Sequence, residues 1–172
     1  MTRTSEQDAR YLDAAGVFGP ALQRLARATE ANEDRRCDLL QDMHVALWQS
    51  LAGFDGRCSL KTWVWRVAQN VAASHVGREA RRNSGRMPLA DAGDLPDTVS
   101  LSSLVEETDA ARRLATWIRR LRPQDRQVMT LYLESLSGAE IADVTGLSPG
   151  AVATRISRLK AQLAHDFKGG TS

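Results

Sequence analysis

Two adjoining stretches, residues 38–51 and 59–76, repeat apolar residues at the spacing of one face of an α-helix. Advancing 100° per residue gathers the apolar side chains of each stretch on one side. No part of the chain alternates apolar and polar residues for long, as a half-buried strand would. The sequence therefore predicts an all-α fold. The predicted buried stripes are Leu39, Leu40, Met43, Ala46, Leu47 and Leu51 in the first stretch, and Leu60, Trp63, Val64, Val67, Ala68 and Val71 in the second.

The opposite face of the second stretch carries a tryptophan among polar side chains. The same wheel places Trp65 outward, together with Thr62, Arg66, Gln69 and Ala73. One interpretation is a partly exposed aromatic ring packed under a neighbouring helix. The other is a platform on which an unstacked nucleic-acid base rests. The stretch alone leaves both open.

Charge is distributed in blocks along the chain. Residues 1–53, 54–90, 91–111 and 112–172 carry net charges of −2, +5, −6 and +5, which give the overall +2. Two basic blocks around an acidic connector suggest two contact sites for anions. Solvated surface charge alone would produce similar blocks, so this pattern is only supportive.

Composition excludes several classes of protein. A hydrophobic content of 42% over 172 residues suits one folded domain or two small ones. No apolar run approaches the roughly 18 residues of a membrane span, and the N-terminus has no apolar signal core. We therefore expect an unexported, cytoplasmic protein without membrane insertion. Cys37 and Cys58 lack metal-ligand spacing, and the sequence contains no paired acid and base, nucleophile or phosphate loop. We expect no metal, no cofactor and no catalytic activity.

The composition changes sharply over residues 83–100, which are rich in Gly, Pro, Asp and Ser and have no sustained period. This stretch is interpreted as a linker between a domain over residues 1–82 and a domain over residues 101–172. Before it, Pro20 is expected in the first turn of a helix, and residues 32–36 are expected to form a turn. Residues 1–17 fit either a short helix or a loose arm.

Residues that start and stop helices in the second domain predict a helix-turn-helix. Ser137 and Glu140 have capping-box spacing, Gly146 suits a left-handed helix stop, and Ser148-Pro149 opens a further helix. The alternative is a helical hairpin that only packs. Small and cationic side chains on the outer face favour insertion into the DNA major groove. These outward and flanking residues are Ala151, Thr154, Arg155, Ser157 and Arg158.

The two modules resemble bacterial sigma factors of the extracytoplasmic-function (ECF) group. Region two of that family is resembled by DLLQDMHVALWQSL and FDGRCSLKTWVWRVAQNVA. Region four is resembled by LRPQDRQVMTLYLESLSGAEIADVTGLSPGAVATRISRLKAQL. Together these segments cover most of residues 20–165, in the family's order around a weakly patterned linker. The resemblance implies a region-two bundle and a region-four helix-turn-helix.

The resemblance also implies partners and the residues that contact them. Region two docks on core RNA polymerase, and its matching positions are Asp38, Gln41, Asp42, Val45 and Trp48. Region two also opens the minus-ten promoter element, and its matching positions are Phe54, Asp55, Arg57, Cys58, Lys61, Trp65, Arg66, Gln69 and Asn70. Region four reads the minus-thirty-five element, and its matching positions are Ser148, Thr154, Arg155, Arg158 and Lys160. Trp63 is assigned to the core.

The resulting hypothesis is a non-catalytic transcription initiation subunit that directs core polymerase to promoters and helps to open them. The resemblance further implies an anti-sigma factor as a partner. One alternative is a stand-alone helix-turn-helix regulator whose N-terminal module senses a signal or dimerises. Another is a decayed family member that acts only as a protein-interaction adaptor.

Overall fold

The computed structural model describes residues 3–85 and 108–169, and within them every regular element is an α-helix. The all-α prediction is confirmed. Residues 86–107, which hold most of the predicted linker and the start of the second domain, lie outside the described residues. The N-terminal module comprises α1 (Arg3–Thr29), α2 (Glu33–Leu51) and α3 (Leu60–Ser84). The C-terminal module comprises α4 (Asp109–Arg119), α5 (Pro123–Leu133), α6 (Gly138–Thr145) and α7 (Pro149–Lys168).

Side-chain caps fix the ends of several helices, as the sequence predicts. Ser59 accepts a hydrogen bond from the Thr62 backbone at the start of α3. Ser137 and Glu140 form a reciprocal capping box at the start of α6. Gly146 ends α6 at φ 76°, a conformation that glycine adopts at little cost. The two serine caps satisfy backbone N–H groups that a helix start leaves without partners, and Gly146 N–H donates to the Ala142 carbonyl at the end of α6.

Two predictions about the N-terminal module are wrong. Pro20 lies in the interior of α1 rather than in a first turn. A proline there removes one backbone hydrogen bond, a cost of about 3 kcal/mol or more. Burial of Leu22 and Leu25 on the same helix offsets that cost. Residues 32–36 do not form a turn either, because the Asn32 side chain accepts from Arg35 N and α2 begins at Glu33.

The two modules pack against each other through α3 and α1. Helix α3 lies against both α2 and α6, and α1 lies against both α2 and α4. One buried apolar cluster continues from Leu22 and Leu47 of the N-terminal module to Val128 and Ile141 of the C-terminal module. Helix α3 is therefore covered on two sides, which a single apolar stripe does not predict.

A buried hydrogen bond joins the end of α1 to α3. Glu30 Oε2 lies 2.8 Å from His75 Nε2, and both side chains are buried. Arg35 lies 3.4 Å from the same carboxylate oxygen. Burial acts to raise the pKa of Glu30, but hydrogen bonds from His75 and the Asn32 backbone and the charge of Arg35 outweigh it and lower the pKa. The ionised carboxylate therefore stabilises the folded state.

Replacing Glu30 with Gln is expected to lower the free energy of unfolding by about 1–3 kcal/mol at neutral pH, because His75 loses its charged partner. A carboxyl whose pKa is lowered by folding contributes stability above its unfolded pKa and loses it as the pH falls through the folded value. As the pH is lowered from about 4.3, the free energy of unfolding of the native chain should therefore decrease. The free energy of unfolding of Glu30→Gln should decrease less steeply over the same range. Urea unfolding between pH 3 and 7 measures both effects, with the exposed Glu6→Gln as control. Identical curves for Glu30→Gln and native chain would contradict this.

Candidate nucleic-acid and partner interfaces

The predicted polymerase-binding face of α2 is exposed. Asp38, Gln41 and Asp42 are exposed, and the apolar residue Val45 has 48% of its surface exposed. Asp42 Oδ2 lies 3.5 Å from Arg78 Nη2, a loose contact between half-exposed groups. A shallow groove of about 340 Å³ runs between α2 and α3 beside these residues. Its walls include Asp42, Val45, Ala46, Gln49, Asn70, Val71, Ser74 and Arg78.

Trp48, predicted for the same face, is turned towards α1 instead. Its Nε1 donates to Asp8 Oδ1 at 2.7 Å, and its carbonyl accepts from Gln7 Nε2 at 2.7 Å. The ring is half-buried. In the described conformation the polar atoms of Trp48 are therefore bonded to α1.

The loop between α2 and α3 is a compact turn with an aromatic pair at its base. Gly56 has φ 79°, and Asp55 accepts from the Arg57 backbone at 3.1 Å and pairs with Arg57 Nε at 2.9 Å. Phe54 stacks edge-on against Trp63, with ring centroids 5.3 Å apart. The assignment of Trp63 to the core is only partly right, because it is half-buried and its Nε1 reaches Ser50 Oγ at 3.0 Å. Sequence reasoning missed this aromatic pair.

The outward placement of Trp65 is wrong. Its side chain is 2% exposed and belongs to the apolar cluster that spans both modules. Thr62 and Gln69, predicted on the same face, are buried too. The cause is α6 and α5, which cover the face of α3 that the wheel leaves to solvent. Of the two interpretations of Trp65, packing under neighbouring helices describes this conformation, and a buried indole offers no face to a base.

Polar groups of α3 predicted to contact the minus-ten element are bonded to the C-terminal module. Lys61 Nζ lies 3.2 Å from Glu140 Oε1. Arg66 donates to the Asp143 carbonyl through Nε at 3.0 Å and Nη2 at 2.8 Å. Gln69 Nε2 donates to Thr130 Oγ1 at 3.0 Å. We refer to the contacts of Lys61, Arg66 and Gln69 with Glu140, Asp143 and Thr130 as the inter-module contacts.

The remaining minus-ten residues lie at two other places. Asp55 and Arg57 are exposed in the loop, and Cys58 beside them is half-buried. Asn70 is exposed but lines the groove between α2 and α3, next to the acidic face. The structure thus brings Asn70 to the predicted polymerase-binding surface rather than to the loop.

The second helix of the helix-turn-helix is α7, and its caps are as predicted. Ser148 is exposed and accepts from Ala151 N, with Pro149 as the first helical residue. Thr154 is exposed and its Oγ1 donates to the Gly150 carbonyl at 3.0 Å. Small side chains at the start of α7 leave room for close approach of a DNA groove.

The two arginines of α7 are held by the first turn of α5. Arg155 Nη1 and Arg158 Nη2 both donate to Asp125 Oδ1 at 2.7 Å, and Arg155 Nη2 donates to Gln124 Oε1 at 2.8 Å. Burial acts to raise the pKa of Asp125, but the hydrogen bonds from Arg158 and Arg155 outweigh it and lower the pKa. Arg155 was predicted on the flank of the outer face and is half-buried, whereas Arg158 is exposed.

Lys160, the last predicted minus-thirty-five residue, is exposed and lies over the Tyr132 ring at 5.8 Å from its centroid. It borders a shallow groove of about 390 Å³ between α6 and α7. The other walls of this groove are Gly138, Ala153, Ile156 and Ser157.

Within residues 3–85 and 108–169, no cluster of three or more His, Cys, Asp or Glu side chains is arranged to hold a metal ion. No helix in the same ranges combines the length and apolar character needed to cross a membrane.

Family models match both modules. The model described as "Sigma-70 region 2" matches residues 17–82, and the model described as "Sigma-70, region 4" matches residues 111–163. The RNA polymerase sigma factor CnrH of Cupriavidus metallidurans is 32% identical over 160 residues, which cover 85% of this chain and 80% of CnrH. The ECF sigma factor SigG of Mycobacterium tuberculosis is 28% identical over 150 residues, covering 73% of this chain. The chain spans only about 40% of the length of SigG.

Solved structures share the fold. CnrH in complex with the cytosolic domain of CnrY matches with a TM-score of 0.69 and 24% identity, covering 98% of this chain and 94% of CnrH. RpoE of Bartonella quintana in complex with the anti-sigma factor NepR matches with a TM-score of 0.68 and 22% identity, covering 92% and 97%. The chain belongs to the ECF group of the sigma-70 family. This confirms the family predicted from the sequence.

Proposed function

We propose that the chain is an alternative sigma factor, a non-catalytic subunit that binds core RNA polymerase, recognises promoters and promotes their opening. The observation that carries this proposal is the order of two surfaces in one chain. An exposed acidic face on α2 precedes a capped helix-turn-helix with cationic side chains on α7. Family membership supports the same assignment. An anti-sigma factor completes the proposed set of partners.

Each proposed partner of the N-terminal module is assigned to a different surface. Asp38, Gln41, Asp42 and Val45 of α2 bind the polymerase, with the groove between α2 and α3 beside them. The loop over residues 54–58 contacts the minus-ten element, and the Phe54–Trp63 pair at its base supplies an aromatic surface. Stacking one base on an aromatic ring returns roughly 1–3 kcal/mol, against about 1.4 kcal/mol to separate a base step. Opening of the promoter duplex is therefore restricted to sequences whose base steps separate easily.

The inter-module contacts occupy Lys61, Arg66 and Gln69, which are also proposed to contact the minus-ten element. One set of donors cannot serve both partners at once. We therefore expect α3 to separate from α5 and α6 when the chain binds polymerase and promoter. The described conformation is a closed one in this scheme.

Separation of the modules is expected on addition of core polymerase. With Cys37 and Cys58 replaced by Ser, fluorophores on Ala80→Cys in α3 and Ala164→Cys in α7 should move apart, because the inter-module contacts break. Energy transfer between the two dyes measures this distance. A dye pair on Asp109→Cys and Ala164→Cys, both in the C-terminal module, should show no change. Unchanged transfer between the first pair in a stable polymerase complex would contradict the opening step.

The proposed function is tested by selecting DNA with the purified chain bound to core polymerase. From a random pool, the complex should enrich two short elements separated by a fixed spacing, because each module contacts its own site. The chain without polymerase is the control and should enrich little. Enrichment of one palindromic site by the chain alone would instead support the stand-alone regulator. Polymerase binding without any enriched sequence would support the adaptor.

A further inference from the structure

We propose that Asp125 is a positioning residue for promoter recognition: it holds the Arg158 guanidinium in the orientation that reads a base edge, preferably guanine, in the minus-thirty-five element. The inference rests on the proposed function, because it assumes that α7 enters the DNA major groove. It assigns a specificity role to a residue of α5, a helix that does not carry the recognition surface itself.

The Asp125 carboxylate holds both arginines of α7 in place. One carboxylate oxygen, Oδ1, accepts from both Arg155 Nη1 and Arg158 Nη2 at 2.7 Å. The Asp125 side chain is 6% exposed, whereas that of Arg158 is 52% exposed and that of Arg155 is 29% exposed. A buried carboxylate thus holds one guanidinium that reaches solvent and one that stays half within the fold. Gln124 fixes the second through Oε1 at 2.8 Å.

The surrounding positive charge explains why a carboxylate is needed at position 125. Two guanidinium groups that share one oxygen lie close enough to repel each other, and the N-terminal turn of α5 adds the partial positive charge of a helix dipole. Asp125, in that first turn, is the negative group that all three face. Without its charge we expect Arg158 to leave this position and sample many rotamers. A freely moving arginine contacts phosphates of any sequence, whereas an oriented one pairs with the O6 and N7 acceptors of guanine.

The alternative is that Asp125 only braces α5 against α7. A brace and a positioning residue differ in what their loss does to DNA binding. Loss of a brace weakens binding to all DNA together, since the whole helix-turn-helix loosens. Loss of positioning lowers discrimination between sequences while binding to unrelated DNA is kept or increased. The ratio of affinities for two DNA fragments therefore separates them.

The test uses the complete holoenzyme and a promoter fragment that the native holoenzyme selects from a pool randomised at the minus-thirty-five element. Affinity is measured for this fragment and for one with that element scrambled, over a range of salt concentrations. Asp125→Asn keeps an acceptor oxygen but removes the charge. Arg158→Lys keeps the charge but removes the planar fork. Asp109→Asn, on the exposed start of α4, is the matched control for loss of one negative charge.

Discrimination by the native holoenzyme is the check on the proposed function itself. Given that discrimination, Asp125→Asn should lower the ratio of the two affinities about tenfold. Its affinity for the scrambled fragment should rise, and the slope of log affinity against log salt concentration should steepen by about one, because the freed Arg158 contacts one more phosphate. Arg158→Lys should lower the ratio similarly, and the double variant should show no additional loss. Asp109→Asn should leave the ratio unchanged.

Equal weakening on both fragments, or additive losses in the double variant, would overturn the inference in favour of a brace. Should Asp125→Asn fail to fold, Asp125→Ser takes its place in the same measurements, and full discrimination by Asp125→Ser would overturn the inference. Failure of the native holoenzyme to discriminate would instead refute the proposed role of α7.

Discussion

Reversing both charges on the acidic face of α2, with Asp38→Arg and Asp42→Arg together, is expected to weaken binding of the chain to core polymerase by at least 100-fold. Both carboxylates are exposed. Like charges brought together across an interface cost several kcal/mol, and each 1.4 kcal/mol is a factor of ten in affinity. Promoter-specific transcription should disappear with the complex. Titration of labelled chain with core polymerase measures the effect.

The fold should survive these two changes. The Asp42–Arg78 contact is 3.5 Å long between half-exposed groups, and exposed pairs of this kind contribute at most about 1 kcal/mol. A matched double reversal on exposed positions away from the groove, Asp13→Arg with Asp109→Arg, should leave polymerase binding within a few-fold of the native value. Native-level binding by the α2 variant would show that this face is merely solvated.

Replacing Trp65 with Ala is expected to impair every function of the chain together. The indole is almost fully buried in the cluster shared by both modules, and truncation of such a side chain costs about 3–5 kcal/mol. That is a large fraction of the 5–15 kcal/mol that stabilises a typical domain. The Tm should fall by roughly 6–20 °C. Thermal unfolding followed by circular dichroism measures this.

Trp63→Ala is the informative comparison for Trp65→Ala. Trp63 is half-buried against Phe54 and the Ser50 hydroxyl, so its removal should destabilise the fold less. Because the aromatic pair lies at the loop, Trp63→Ala should reduce promoter opening more than binding of the closed duplex. Permanganate reactivity of thymines in the promoter measures opening, and filter binding measures the duplex complex. Selective loss of opening in a stably folded Trp65→Ala would contradict this prediction and would assign the aromatic role to Trp65, which is uncovered when α3 separates from α5 and α6.

The features that sequence predicts well are local ones. The capping box of Ser137 and Glu140, the left-handed Gly146 and the Ser148-Pro149 start of α7 all depend on residues within three or four positions of each other. Such signals act through the backbone of the same segment, so tertiary context rarely overrides them. The helix-turn-helix follows from them, whereas the family is inferred from the resemblance of both modules to sigma factors.

The wrong predictions have tertiary causes. A helical wheel predicts Trp65 and Gln69 on the outer face because it identifies a single buried stripe. In the structure α3 is covered by α2 on one side and by α5 and α6 on another. Pro20 lies inside α1 because packing of its neighbours outweighs the missing hydrogen bond. Asp125 carries no motif of its own, and only the approach of α5 to α7 reveals its two arginine partners.

The central claim is that this chain confers promoter-specific initiation on a polymerase that lacks it. Reconstituted transcription tests it most directly: purified core polymerase, the purified chain and a promoter selected as above, with the RNA mapped at its 5′ end. We predict a transcript with a single defined start when both proteins are present, and none from either alone. A chain that binds the promoter tightly by itself, while the mixture yields no more transcript than core polymerase alone, would contradict the account.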